Sequence, residues 1–347
     1  MVDLKTTAHD QSFIPNDPAA SRPIIYLRYE RNPDSVSETP DSAIVSQALR
    51  QLENNAVHIA EVVTESLTGR IVPNAWNADC IAGPLGSPLA HAISTRPAIV
   101  GLGEDKNGQL LVAASMSGVV GFYAPRASAT AGHGRLLFLG HTVNDVRQVW
   151  IKSLKSDDAL SKLYRADADF EPNPEISSIV PQVHLPKGRF WDVVHFDART
   201  NFALAMREFE KVGIEVVPNE AVITDECRKA ALLVPQHPFD DAAFQELRDI
   251  YQSPAPDGIV LLPSCAMPAP AIADWPLSPG RYDPEPFEMI MPVVLTDSVA
   301  ITVPNGYSAE GLPMGLTLAA PAHLTARLLA LAEWFCGATP WPTLAEA

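Results

Sequence analysis

The 347 residues are 47% hydrophobic and 19% charged, the balance of a folded globular chain, and are enough to bury a large core in one or two domains. With 25 basic against 41 acidic residues the formal net charge is −16, which argues against nucleic acid as a partner, since phosphate binding needs clustered Lys and Arg. A small molecule or another protein is the expected partner.

Residues 1–38 read as an N-terminal arm, polar and rich in Pro, Asp and Ser, and expected to be partly flexible. Within it only residues 23–29 have the apolar character of a strand. The opening residues lack the basic and apolar regions of a signal peptide, and no run approaches the ~18 apolar residues of a membrane span, so the expected setting is cytoplasmic, without membrane. An amphipathic helix follows a cap at residues 39–42 and carries Ile44, Val45, Ala48, Leu49 and Leu52 on one side. Residues 56–60 then read as a buried strand, which gives α/β order.

Residues 83–121 stand out. Two glycine-containing turns, 83–86 and 101–108, flank an apolar segment, and glycine lets backbone N–H groups approach a ligand. The stretch leads through residues 119–123 into a loop of Ala, Gly and Ser, and Thr142 begins a helix with Val146, Val149, Trp150 and Leu154 on one side. Residues 155–180, acidic and broken by Pro172 and Pro174, read as an exposed connection. A second amphipathic helix spans 196–212 through Phe202, Met206, Phe209 and Val212; Gly213 ends it and a strand follows at 214–217. A shorter helix at 240–251 precedes the apolar run at 257–264, a central strand covered on both faces. Further strands at 299–304 and 316–319 are joined by a turn beginning at Asn305 and Gly306, and Leu324, Leu328, Leu331 and Phe335 mark a closing helix.

Several of these segments together resemble the amidase signature family, whose members hydrolyse amides with a serine, a second serine in a cis peptide, and a lysine. Asn74-Ala75-Trp76-Asn77 is similar to the family's Asn-Pro-Trp-Asp, residues 103–109 to its Gly-Thr-Asp-x-Gly-Gly-Ser loop, and residues 117–121 to its Cys-Gly-Val-x-Gly turn. No gap is needed between Asn74 and Gly121. Similarity continues at 39–59, 196–217, 257–270 and 299–319, the last two being the most specific. The resemblance implies an α/β domain over residues 39–340, with a mixed β-sheet covered by α-helices on both faces.

The resemblance does not carry the chemistry over. It puts Gln109 at the nucleophile position and Leu85 at the cis-serine position, and neither side chain can do that work. The only lysine before position 106 is Lys5, and Arg28, on the early strand, stays protonated and cannot serve as a base. The implied protein is shortened and catalytically degenerate: a non-hydrolytic binding or partner subunit. The alternative is a hydrolase or biosynthetic enzyme acting on a small amide or carboxylate with other residues.

No catalytic residue is assigned. Ser87, His91 and His133 are weak candidates against plainer roles: a turn hydroxyl, a packed histidine, and a histidine in a glycine loop, with His141 similarly ambiguous. Lys106 sits beside Glu104 and Asp105, where a solvated ion pair is the default. For a small amide or carboxylate ligand the expected binding residues are Leu85, Lys106, Asn107, Gly108 and Gln109, since the family's equivalent amides form an oxyanion hole. The four scattered cysteines and nine histidines form no metal or disulfide pattern, and neither a metal nor a cofactor is expected. Loss of the early strand region would leave sheet edges unpaired, which a homodimer could cover.

Overall fold

The computed structural model describes residues 24–30, 43–55, 57, 59–66, 71–84, 87–96, 99–105, 107–125, 135–154, 159–167, 175–234, 241–251, 255, 257–275, 285–296 and 298–341. Its strands, in chain order, are β1 (Ile24–Glu30), β2 (Ile59–Ser66), β3 (Val100–Asp105), β4 (Val120–Tyr123), β5 (Arg135–Gly140), β6 (Gln182–Pro186), β7 (Glu215–Asn219), β8 (Ile259–Pro263), β9 (Val299–Tyr307) and β10 (Pro313–Ala320). The helices are α1 (Ala43–Asn54), α2 (Ser87–Ser94), α3 (Gln109–Ser117), α4 (Val143–Ser153), α5 (Ala159–Asp167), α6 (Ile176–Ile179), α7 (Phe196–Lys211), α8 (Asp225–Leu233), α9 (Asp241–Ile250), α10 (Glu285–Glu288), α11 (Met291–Leu295) and α12 (Thr325–Ala338).

The ten strands among the described residues form one mixed sheet in the order β2-β1-β3-β5-β4-β9-β10-β8-β6-β7. The strands between β3 and β8 pair antiparallel, while both ends of the sheet pair parallel. Side chains alternate between its faces, as the two-residue period of a strand demands. Val100, Leu102, Phe122, Phe138, Leu261, Ile301 and Leu318 turn to one core. There Val45, Ala48, Leu49 and Leu52 of α1 share one core with residues of α4, α7 and α12, and Phe209 stacks on Phe335 with ring centroids 5.2 Å apart. Leu137, Leu139, Ala300 and Leu262 turn the other way, onto α2 and α3. A further apolar cluster from α8, α10 and α11 lies over α3, joining Val112 and Met116 to Phe287, Ile290 and Val294. The expected mixed sheet with helices on both faces is thus present, with α3 as an inner layer.

Local differences from the sequence reading have physical causes. The strand expected at 56–60 lies later, as β2. Residues 101–105 are strand and not turn: a Cβ on Gly101 would lie 3.1 Å from Leu89 and Ile93, so glycine here allows α2 to pack close on β3. Within the stretch read as an exposed connection the chain forms α5 and α6, and Tyr164 of α5 meets Trp150 edge-on at 5.1 Å. Asn305 and Gly306 lie inside β9; the turn follows, closed by Ser308 N–H to Leu312 O at 2.8 Å. Strands β4, β5 and β6 and helix α8 were not anticipated. Of the N-terminal arm, β1 is an interior strand between β2 and β3, and the rest lies outside the described residues.

The helix at Thr142 forms for the expected reason. Thr142 Oγ1 accepts from Asp145 N–H at 3.1 Å while Asp145 Oδ2 accepts from Thr142 N–H at 3.2 Å, a reciprocal capping box.

Candidate functional site

Helix α3 is the centre of the candidate site, and every one of its residues is buried. A helix ends with unpaired N–H groups at its start and unpaired carbonyls at its finish, so a buried one needs partners at both ends. Asp105, the last residue of β3, supplies them at the start. Its Oδ1 accepts from Asn107 N–H at 3.1 Å and Gly108 N–H at 2.9 Å, and its Oδ2 from Leu110 N–H at 2.9 Å. The carboxylate sits in the positive field of the helix N-terminus. Burial nonetheless dominates those hydrogen bonds and pushes the Asp105 pKa up from 3.8 to about 6.

At the other end Asn74 is 2% exposed and does three jobs. Its Nδ2 donates to Met116 O at 2.8 Å and Ile81 O at 3.0 Å, and its Oδ1 accepts from Trp76 N–H at 2.9 Å. Trp76 Nε1 donates to Ser117 O at 3.1 Å, and Ser117 Oγ to Ala82 O at 2.9 Å. The Asn-Ala-Trp motif therefore ties the end of α3 to residues 81–83. Gly83 completes the contact, because a Cβ there would lie 2.7 Å from Ala113.

The start of α3 is closed on its outer side. Gly108 has φ 80°, and a Cβ on it would lie 2.4 Å from Ile290 Cδ1 and 3.0 Å from Val294 Cγ2. On the sheet side a buried hydroxyl chain runs from Thr302 to Thr317 at 2.7 Å and on to Ser264 at 2.8 Å. Arg135 stands directly opposite Asp105 in the β3–β5 register. It is 1% exposed, donates from Nε and Nη2 to Ala124 O at 3.0 and 2.7 Å, and lies 4.1 Å over the Tyr123 ring. Sequence reasoning missed Arg135 and Tyr123, since no motif or spacing links them to the glycine loops.

The expected site residues fall as follows. Gln109 opens α3, buried, with a carboxamide where the resemblance puts a nucleophile. The N–H groups of Asn107 and Gly108 are engaged by Asp105. His91, on α2, places Nδ1 3.0 Å from Pro73 O, so that nitrogen is directed at the strand of chain before Asn74 and not at residues 107–109. Ser87 is the first residue of α2, and its side chain lies outside the described residues, as do Leu85, Lys106 and His133 altogether. His141 lies with Nε2 2.6 Å from Ile93 O.

Other nucleophiles offer little. The thiols of Cys227, Cys265 and Cys336 are pushed up to about 12 by burial, and that of Cys80 is also raised, so these four stay protonated near neutral pH. Among the described residues no group of three or more His, Cys, Asp or Glu is placed to hold a metal ion. No helix among them is long and apolar enough to cross a membrane.

No family model matches the chain. It is 28% identical over 158 residues to the A-type chain of the glutamyl-tRNA(Gln) amidotransferase of Chlamydia pneumoniae, covering 42% of this chain and 31% of that protein. It is also 28% identical over 195 residues to the equivalent protein of Chlamydia abortus, covering 52% and 39%. The chain thus matches between about a third and two fifths of these curated relatives' length. Among solved structures, an amidase superposes with a TM-score of 0.69 at 17% identity, over 91% of this chain and 84% of that one. A 6-aminohexanoate cyclic dimer hydrolase gives 0.69 at 13% identity, over 93% and 85%. Allophanate hydrolase of Kluyveromyces lactis gives 0.65 at 15% identity, over 92% and 63%. The chain has the fold of the amidases, and part of its sequence is similar to these amidotransferase chains.

Proposed function

We propose that this chain is a shortened member of the amidase signature family that has lost the serine, cis-serine and lysine chemistry and acts as a non-hydrolytic binding or partner subunit in the cytoplasm. One observation carries the reading. The helix that would present a nucleophile begins with buried Gln109, with its leading N–H groups held by Asp105 and Gly108 covered by Ile290 and Val294. An oxyanion hole needs donors aimed at empty space. Here they are aimed at a carboxylate of the same chain.

The partner role draws support from the curated relatives, which are named as one subunit of an amidotransferase. A further structural neighbour, with a TM-score of 0.68 at 17% identity, is described as part of a vestigial protein complex behind the origin of an s-triazine catabolic enzyme. A small amide or carboxylate at residues 106–109 remains part of the proposal, and its entry competes with Asp105 for the loop's N–H groups.

The test is a titration of the full chain with small amides and carboxylates, read by NMR at the amides of residues 107–110, in the native protein and in Asp105→Asn. The expected result is a change at those amides without product formation, strengthened in the variant. Conversion of an amide to its acid during the titration would refute the proposal.

A further inference from the structure

The start of α3 already seats an anion, the carboxylate of Asp105. Its oxygens accept from the N–H groups of Asn107 at 3.1 Å and of Gly108 and Leu110 at 2.9 Å, and the N–H of Gln109 also bonds to it. Such a cluster of N–H groups is matched to a carboxylate, because unpaired donors and the helix dipole both favour negative charge. Asp105 is 3% exposed and ends β3, so its carboxylate stays beside these donors whatever else reaches them.

The surrounding groups bear on its charge. On β5 Arg135 stands opposite, 1% exposed and bonded to Ala124 O. On β4 the Tyr123 hydroxyl lies 3.5 Å from the main-chain oxygen of Asp105. From the helical side α11 covers Gly108 with apolar Ile290 and Val294, the buried Glu288 belongs to α10, and His91 of α2 is directed at Pro73 O. Glu104 turns to the other face of β3 by strand alternation, and the side chains of Arg28 on β1 and of Lys106 lie outside the described residues. Burial places the Asp105 carboxyl at about 6 against the hydrogen bonds from residues 107–110, and no charged side chain adds to the shift. At neutral pH it is ionised. A second carboxylate on the same donors meets that charge within hydrogen-bond range, and two such groups cannot both stay ionised: they share a proton. A neutral amide brings no second charge, and its own N–H groups can donate to the ionised carboxylate.

We propose that a small carboxylate binds the N–H groups of residues 107–110 together with one proton, shared with Asp105, whereas the matching amide binds there without a proton. This rests on the reading of these N–H groups as a ligand site, and it makes the choice between acid and amide depend on pH. The bound carboxylate raises the Asp105 pKa above its value of about 6 in the free protein. Above about pH 6 each carboxylate therefore brings a proton with it, and its affinity falls about tenfold per pH unit; below about pH 6 Asp105 is already protonated and the affinity levels off.

The test titrates the full chain with acetate and, separately, with acetamide at constant ionic strength from about pH 5.5 to 8. NMR follows the amides of residues 107–110 and the Asp105 carboxyl carbon. The expected result is an acetate affinity that falls about 100-fold between pH 6 and 8 and an acetamide affinity that changes by less than about threefold. At pH 7 the Asp105 carboxyl signal should move toward its protonated position on adding acetate and stay in place on adding acetamide. Asp105→Asn should flatten the acetate profile; should that variant not fold, the carboxyl signal of the native protein decides. An acetate affinity that ignores pH, or acetate bound at pH 7 beside an ionised Asp105, would overturn the inference and leave the ligand site standing. Acetate and acetamide that shift none of these amides at any pH would overturn both, whereas conversion of acetamide to acetate would overturn the non-hydrolytic reading alone.

Discussion

Replacing Asp105 by Asn gives a stability effect whose dependence on pH follows from the structure. Burial raises the carboxyl from 3.8 to about 6 although four main-chain N–H groups, those of Asn107, Gly108, Gln109 and Leu110, bond to it. A raised folded pKa means that between about pH 4 and 6 the native state holds a proton that the unfolded chain has released, so stability falls as pH rises through that window. The shift of about 2 units corresponds to about 3 kcal/mol, a cost fully present above pH 6 and relieved below pH 4. Asn carries no such cost, but it accepts fewer hydrogen bonds and leaves a buried N–H short, at about 1–3 kcal/mol. At neutral pH these effects offset. Urea unfolding of both proteins at intervals from pH 4.5 to 8 isolates the titration. Across that range the native protein should gain on Asp105→Asn by about 2 kcal/mol as pH falls, with the rest of the cost relieved below pH 4.5. A pH-independent difference would refute the reasoning, and a native protein that loses ground on acidification would show that the hydrogen bonds outweigh burial.

Three further outcomes follow from the same geometry. Gly108→Ala should cost about 2–4 kcal/mol, from the positive φ and the overlap with Ile290, and a double-mutant cycle with Ile290→Ala should return a coupling of at least about 1 kcal/mol. Asn74→Ala leaves the buried Met116 and Ile81 carbonyls without their side-chain donor and should cost about 2–4 kcal/mol in chemical unfolding. Thr142→Ala removes the side-chain acceptor of the capping box, for about 1 kcal/mol and a small drop in melting temperature.

The helices that were legible in the sequence are those with one wet face. Helices α1 and α7 repeat their apolar residues with helical period because their outer sides meet water, and the readings at Leu49, Leu52, Phe202 and Phe209 match the core. The run in β8 was legible because both faces are buried. Helix α3 was not legible as a helix for the same reason: every side is covered, so Leu110 to Ser117 shows no periodicity. The glycines of β3 suggested a turn, since close packing of α2 and a reverse turn use the same residue type. Helix α5 packs on Trp150, a contact set by tertiary structure and invisible to local pattern. At the site, Asp105 was recognised only as a loop match beside Lys106; its hydrogen bonds to the N–H groups of residues 107–110 depend on where β3 ends and α3 begins.

The central claim is that this amidase fold no longer hydrolyses amides by the serine route, and ammonia release measures it directly. The purified full chain with a panel of small primary amides, alongside Gln109→Ala and Ser87→Ala, should give no release above the uncatalysed background in any of the three. Turnover by the native protein that survives Gln109→Ala and is abolished by Ser87→Ala would contradict the account and make Ser87 the nucleophile.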